Sequence, residues 1–192
     1  AYTYYDSRIE RSYAKGDVDG NIHTGGFIGR QYRNDAGIFE SYATGDVTGT
    51  ENVGGFIGYN PDNGYVNKVE DCYATGNVQG DDDIGGFCGQ CMDSIARVYA
   101  IGTVTENTTG TATAMDPLLA RMNDYAGGND AIIDSFWDVS TSGMTSASNG
   151  GTAYTTTQMK TQDSFENPAP PNNGWDFGSI WEIQSEGNDY PT

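Results

Sequence analysis

Residues 41–58 read Ser41-Tyr-Ala-Thr-Gly-Asp-Val-Thr-Gly-Thr-Glu-Asn-Val-Gly-Gly-Phe-Ile-Gly58. Similar copies of this stretch occupy residues 12–29 and 72–89. In each copy a tyrosine stands 12 residues before a Gly-Gly pair and 16 before a closing glycine. Self-similarity at a period in this range indicates a solenoid, propeller or array, and it outweighs local secondary-structure signals. The repeat is defined by Tyr13, Tyr42, Tyr73 and Tyr99 and by the triplets Gly25, Gly26, Phe27; Gly54, Gly55, Phe56; and Gly85, Gly86, Phe87.

Two weaker copies follow the three complete ones. The fourth begins at Tyr99-Ala100-Ile101-Gly102 and then loses its Gly-Gly-Phe half, and Ile132–Trp137 keeps only the opening. Stacked units of this kind share one continuous core. The sequence therefore predicts about four to five stacked rungs.

Alternation within the repeat predicts which side chains face inward. A β-strand sends successive side chains to opposite faces. One face is small and apolar, and the other carries tyrosine, threonine or lysine, and aspartate or asparagine. The phenylalanines of the Gly-Gly-Phe strand would fill the space beside the small residues. Residues expected inside are Ser41, Ala43, Gly45 and Val47, and those expected outside are Tyr42, Thr44 and Asp46.

The fold class that follows is all-β: a parallel β-solenoid (β-helix) with two short strands in each repeat. Residues 1–104 hold the repeats, and residues 105–192 hold degenerate rungs, a helical insertion and a C-terminal cap of the same domain. Asp116-Pro117 resembles an N-cap followed by proline at the first helical position, with Leu118, Met122 and Tyr125 on one face and Gly127-Gly128 as a stop. A second helix is expected over 156–165, then a bend at 168–171 and a strand around 175–183.

Composition excludes some partners. The chain has 27 acidic and nine basic residues, a net charge of -18, whereas phosphate binding draws its affinity from lysine and arginine. We therefore expect no nucleic acid partner. No apolar run approaches the roughly 20 residues of a membrane helix, so no membrane insertion is expected.

At the motif residues the chain resembles the GLUG-motif repeats of bacterial and archaeal cell-surface proteins, in which Tyr-Ala-Thr-Gly-x-Val is followed by Gly-Gly-Leu-Val-Gly. Phenylalanine replaces that leucine at Phe27, Phe56 and Phe87. Residues 135–138, 142–143, 155–159 and 174–177 also look like the segment that ends such arrays. The resemblance implies an extracellular or cell-surface protein with an adhesive or scaffolding use, and it implies no catalytic residues.

The candidates for chemistry are few. His23, the single histidine, is expected in an exposed turn, and Asp81-Asp82-Asp83 in an acidic solvated turn rather than as the paired carboxylates of a polysaccharide hydrolase. The column Asp17, Asp46 and Asn77 offers too few oxygens for a dedicated calcium site. We expect no cofactor and no catalytic residue, with peripheral Ca²⁺ binding still open.

Three cysteines and one asparagine are candidates for modification. Cys72, Cys88 and Cys91 are an odd number, which in a secreted protein suggests one disulfide of undetermined pairing and one thiol available to a neighbour. Asn107-Thr108-Thr109 is an N-glycosylation sequon in a predicted loop.

Two hypotheses on function follow. The first is an extracellular structural protein that assembles with copies of itself into a surface layer, sheath or fibre. The second is an adhesin or glycan-binding module of a larger surface protein. A polysaccharide-cleaving β-helix is a distant third. The N-terminal segment Ala1–Ile9 is expected at a subunit contact, with Cys91 as a possible covalent link.

Overall fold

The chain forms a parallel β-solenoid of about three turns in a computed structural model. The predicted class is confirmed, with slightly fewer turns than expected. The structure describes residues 2–3 (backbone only), 8–31, 37–61, 68–107, 112–122, 132–168 and 174–192. Most of the predicted N-terminal contact segment, part of the sequon, Tyr125 and Gly127-Gly128 of the predicted helix, and most of the proline-rich bend lie outside these residues.

The second and third turns contain four strand segments each and the first contains five, rather than the predicted two. Strand β1 (Tyr2–Thr3) precedes the first turn. That turn holds β2 (Ile9–Glu10), β3 (Tyr13–Ala14), β4 (Val18–Asp19), β5 (Ile22–Gly25) and β6 (Ile28–Gln31). The second holds β7 (Ile38–Ala43), β8 (Val47–Thr48), β9 (Glu51–Gly54) and β10 (Ile57–Asn60). The third holds β11 (Val69–Ala74), β12 (Val78–Gly80), β13 (Asp82–Gly85) and β14 (Cys88–Cys91).

Equivalent strands stack in register into four parallel sheets. Tyr42 pairs with Tyr13 on one side and Tyr73 on the other, and Val47 pairs in the same way with Val18 and Val78. The backbone ladder is continuous from turn to turn, as in the 2.8 Å bond from the Phe56 amide to the Phe87 carbonyl. Every repeat residue therefore stands in a column of its equivalents.

Two of these columns bend the strands through left-handed backbone. One runs through Arg11, Glu40, Asp71, Arg97 and Asp134, with φ between 46° and 56°, and the other through His23, Asn52 and Asp83, with φ between 47° and 54°. Such angles are uncommon outside glycine. In β7 the bend at Glu40 lets Ile38 and Ser41, three residues apart, both point into the core.

The core confirms the predicted orientation. Ser41, Ala43 and Val47 are buried, while Asp46 is exposed. Phe27, Phe56 and Phe87 stack with centroids 4.8 Å and 5.0 Å apart. The Gly-Gly pairs let the backbones approach beside these rings, since a Cβ on Gly55 would collide with the carbonyl oxygen of Gly86. Glycine is therefore required there by close packing.

The predicted helix at Asp116-Pro117 is wrong. A final coil over 95–122 contains β15 (Ile95–Ala100), β16 (Val104–Glu106), β17 (Met115–Asp116) and β18 (Leu119–Met122). Ile84 pairs with Met115 and Cys88 with Leu119, so Asp116-Pro117-Leu118 takes the place of Gly-Gly-Phe. Leu118 is fully buried. Pairing with the third turn overrides the local capping pattern.

The remaining chain closes the C-terminal end and then crosses the side of the solenoid. It contains β19 (Ile132–Ile133), β20 (Phe136–Asp138), β21 (Thr152–Tyr154), α1 (Thr156–Met159) and α2 (Gln162–Glu166). Two short helices thus replace the predicted single one. No strand forms within 174–192, where one was expected. We call the described residues from 155 to 192 the tail.

Candidate interaction surface

The four repeat tyrosines form one continuous aromatic column. Ring centroids are 5.3 Å apart from Tyr13 to Tyr42, 4.8 Å from Tyr42 to Tyr73 and 5.0 Å from Tyr73 to Tyr99, and the rings are nearly parallel. Exposure falls along the column from 63% at Tyr13 to 8% at Tyr73 and 0% at Tyr99. The outward face is therefore open at one end only.

The tail causes this gradient. Trp175 and Trp181 stack 4.3 Å apart and pack on Tyr99. The Trp181 Nε1 donates to Asp71 Oδ1 at 3.2 Å, and the Trp175 Nε1 donates to the Asp134 carbonyl at 2.7 Å. The Tyr99 hydroxyl donates to the Pro191 carbonyl at 2.7 Å. The sequence analysis missed this contact, for which three tryptophans in the last third of the chain were the available signal.

Covering the column changes its acid–base properties. Burial, and the nearby Tyr42 hydroxyl, raise the pKa of Tyr73 to about 12. Burial also raises the pKa of Tyr99 well above its ordinary value. Burial and the adjacent Asp138 carboxylate raise the pKa of Tyr190 to about 12. The Tyr99 and Tyr190 hydroxyls act as hydrogen-bond donors, to the Pro191 carbonyl and the Asp138 carboxylate.

A groove lies where the tail stops. It has a volume of about 290 Å³, and its floor is the uncovered part of the tyrosine column. The carboxylates on one side are already engaged: Glu40 accepts a hydrogen bond from Arg11, and Asp71 accepts from Arg97. Its lining includes Glu40, Tyr42, Asp71, Tyr73, Ile180 and Trp181.

The first turn, which we call the head (residues 8–31), leaves its core partly open. Ile9, Val18 and Phe27 are only half-buried, although their equivalents in the second turn are fully buried. Tyr13 is 63% exposed and Ile22 54% exposed. A solenoid end of this kind presents strand edges and apolar side chains that natural proteins either cover or use for association.

The opposite end is closed by the chain itself. The Asn149 side-chain amide donates to the carbonyls of Leu119 and Ala120 at 2.9 Å and 2.8 Å. The buried Asp116 carboxylate accepts from the backbone amides of Leu118 and Ser148. Burial raises the pKa of Asp116, an effect that these hydrogen bonds oppose. The two ends of the solenoid are thus built differently.

The column Asp17, Asp46 and Asn77 serves the backbone. The Asp17 carboxylate accepts from the amide of Asp46 at 2.9 Å, and Asp46 accepts from Asn77 at 2.7 Å. Asn77 accepts in turn from Thr103 at 3.1 Å. Each side chain holds the next coil at the corner between two sheets. Among the described residues, no group of three or more histidine, cysteine or acidic side chains is placed to hold a metal, and peripheral Ca²⁺ binding stays a prediction.

Comparison with known proteins agrees with this repeat geometry. Residues 20–48 match the GLUG motif. The match runs from the second half of the first copy into the first half of the next, so it spans one full period and confirms the resemblance seen in the sequence. No curated protein and no solved structure matches the chain.

The three cysteines of the third turn are free and fully buried. Cys72 donates to the Glu70 carbonyl at 3.1 Å, and Cys91 donates to the Asp93 carbonyl at 3.4 Å. Burial raises the pKa of Cys72, while a hydrogen bond from Cys88 lowers that of Cys91. The structure therefore provides neither the expected disulfide nor an accessible thiol, because all three side chains occupy inward columns.

In the third turn, Asp82 and Asp83 lie in β13 rather than in a solvated turn, and Asp81 lies in the bend before that strand. Burial raises the pKa of Asp82, but hydrogen bonds from Thr113 outweigh it and leave the pKa low. Asp83 accepts from Arg121 at 2.7 Å. His23 also lies in a strand, half-buried and stacked 4.6 Å from Tyr59, and burial, with the nearby Arg30 charge, lowers its pKa.

Two further predictions concern the surface of the molecule. Asn107 is half-buried, and its side-chain amide donates to the Gly49 carbonyl at 3.4 Å. Thr108 and Thr109 lie outside the described residues, so glycosylation stays a prediction. Within the part of the chain that is described, no helix has the length and apolarity needed to span a bilayer.

Proposed function

We propose that this GLUG-repeat protein is an extracellular structural protein whose copies assemble into a surface layer, sheath or fibre. The observation that carries the proposal is the open head. Tyr13 and Ile22 are exposed there, and the core residues Ile9, Val18 and Phe27 are incompletely covered. Burying such a surface in a contact between subunits is favourable by about 25 cal/mol per Å² of apolar area.

The difference between the two ends supports assembly. At the C-terminal edges, the Asn149 side-chain amide donates to the Leu119 carbonyl, and the Ser148 backbone amide donates to the Asp116 carboxylate of β17. Within the described chain, the first turn has no comparable closure beyond Tyr2–Thr3, which pairs with Arg30–Gln31 of the same chain. That short pairing leaves β4 and β5 at the outer edges of their sheets.

A cell-surface location is part of the proposal, and it rests on the resemblance to GLUG repeats of surface proteins. The net charge of -18 also suits a protein that must stay soluble before it assembles. The proposal includes no catalytic role.

One observation favours a second function, that of an adhesin or glycan-binding module. The groove of about 290 Å³ combines edges of Tyr42 and Tyr73 with Trp181 and two carboxylates. Aromatic surfaces next to fixed hydrogen-bond acceptors are typical of sites that orient a small polar ligand. The carboxylates already accept from arginine, which leaves them fewer free lone pairs for a sugar.

Analytical ultracentrifugation and electron microscopy of the native protein, in near-native salt with calcium, distinguish these functions. Regular polymers are expected. A chain that remains monomeric under all these conditions and binds glycans on an array would exclude the structural role and support the adhesive one.

A further inference from the structure

The head has a different surface chemistry from the rest of the chain. The head (residues 8–31) contains four basic and three acidic residues, a net charge of +1, whereas the rest of the chain contains five basic and 24 acidic residues, a net charge of -19. Four of the nine basic residues of a strongly acidic protein therefore lie in the head.

The columns show which residues the head replaces with basic ones. Arg11 stands in the column of Glu40, and its side chain is 75% exposed. Lys15 stands where the second and third turns have threonine, and Arg30 pairs with Tyr59. Each substitution keeps the fold of its turn while making the head more basic.

Ile22 shows the same change for apolar character. It pairs with Glu51, which in turn pairs with Asp82. The two later turns thus place a carboxylate at this outward position, whereas the head places an isoleucine that is 54% exposed. Because its side chain is exposed to water, an isoleucine in a column that otherwise carries acids does not stabilise the monomer.

The tail has the complementary chemistry. Residues 155–192 contain one basic and six acidic residues, a net charge of -5. All six carboxylates are on exposed residues, and Ile180 adds an exposed apolar side chain beside them. The six are Asp163, Glu166, Asp176, Glu182, Glu186 and Asp189.

We propose that the basic, apolar head of one copy binds the acidic tail of the next copy. This inference rests on the proposed function and names the two surfaces that carry it. Because head and tail are different patches, the contact is heterologous, and repeating it gives an open chain of subunits rather than a closed dimer. Opposite charges would steer the encounter and fix its direction.

Two charge-reversed variants test the contact. The head variant is Arg11→Glu/Lys15→Glu, and the tail variant is Glu182→Lys/Asp189→Lys; Lys68→Glu, an exposed site outside both surfaces, is the control. Each variant alone should raise the concentration needed for half-maximal assembly by at least about tenfold. An equimolar mixture of the two should assemble again, since every contact then joins opposite charges. The control should assemble like the unaltered protein.

A second head variant, Ile22→Glu/Lys15→Thr, gives the first turn the residues that the second turn has at these positions. It tests the apolar part of the head without introducing a new residue type into either column. It should also lose assembly, with unchanged thermal unfolding. Assembly that persists in the head variants, or a mixture that is not rescued, overturns the head-to-tail contact and leaves the structural role standing. Failure of the unaltered protein to assemble overturns both.

Discussion

Arg97 lies directly above Asp71 in adjacent coils and holds it with two hydrogen bonds, Nε to Oδ1 at 2.7 Å and Nη2 to Oδ2 at 2.9 Å. Both residues have left-handed backbone. The Asp71 side chain is 7% exposed, and it also accepts from Trp181 of the tail. This pair therefore joins the third turn, the final coil and the tail.

Replacing Arg97 with alanine should leave the Asp71 charge buried and unpaired, at a cost of about 3 kcal/mol in the free energy of unfolding. Arg11→Ala is the matched control, because Arg11 occupies the same column with the same backbone and pairs with Glu40 in solvent. It should cost much less, because solvent screens an exposed ion pair. Urea denaturation measures both; equal costs would show that the Asp71 pair is not a stabilising one.

Substitutions at neighbouring positions of β7 test the orientation of the strand. Ala43→Lys buries a charge at a site that is 1% exposed and should unfold the protein, by roughly 4 kcal/mol or more. Thr44→Lys should be tolerated, because Lys15 already occupies that column in the first turn. Circular dichroism distinguishes the two, and comparable folding of both variants would contradict the assigned faces.

The column Asp17, Asp46 and Asn77 predicts a small loss of stability when one of its acceptors is removed. Asp46→Ala removes the acceptor of the Asn77 amide and should destabilise by about 1 kcal/mol. Asp46→Asn should cost less, because Asn77 accepts from the next coil with an amide oxygen. Asp19→Ala, at an exposed position of β4, is the control and should change little. Thermal unfolding of the three variants decides the order.

Alkaline unfolding should depend on the tail. The pKa of Tyr73 and Tyr190 is raised to about 12 in the folded state, above about 10 in an unfolded chain. A raised pKa means that these tyrosines favour folding fully below pH 10 and cease to do so as the pH rises from 10 to 12. In a pH titration followed by tyrosinate absorbance, Tyr73 and Tyr190 should ionise at higher pH than the exposed tyrosines.

Trp181→Ala should loosen the tail and move this delayed titration toward lower pH, since Trp181 packs on both Tyr73 and Tyr99. Ile180→Ala, a partly exposed neighbour, should leave the titration in place. An unchanged profile in Trp181→Ala would mean that the tail does not set these pKa values.

The thiols should be unreactive in the folded protein. All three cysteines are fully buried, so a thiol reagent should label none before denaturation and all three afterwards. Reducing agent should then leave the size of any assembly unchanged. Rapid labelling of Cys91 in the native state would contradict the inward position of its side chain.

The repeat predicted the core well because stacking makes local and tertiary requirements coincide. Phe56 and Ala43 follow from alternation alone, since each is covered by its own equivalents. Asp116 was misassigned for the opposite reason: its capping pattern is local, whereas its strand is dictated by pairing with Gly85. Nothing in a single copy marks Glu40 as left-handed, because glutamate has no preference for that conformation.

The candidate surface was harder to predict than the fold. Tyrosine spacing places Tyr73 and Tyr99 on the outward face, but only the return of the chain more than 70 residues later covers them. The charge of the head was visible in the sequence as Arg11, Lys15 and Arg30. Only the alignment of the turns in the structure shows that other turns have different residue types at these positions.

The tail reaches back along the tyrosine column a fixed distance. Among the described residues, its side-chain hydrogen bonds to the solenoid extend no further toward the head than Asp71. Adding or removing a turn before the third one would therefore leave these side-chain hydrogen bonds in place. In such a design the length of the rod is free to vary by whole repeats in evolution, while its finished end stays the same.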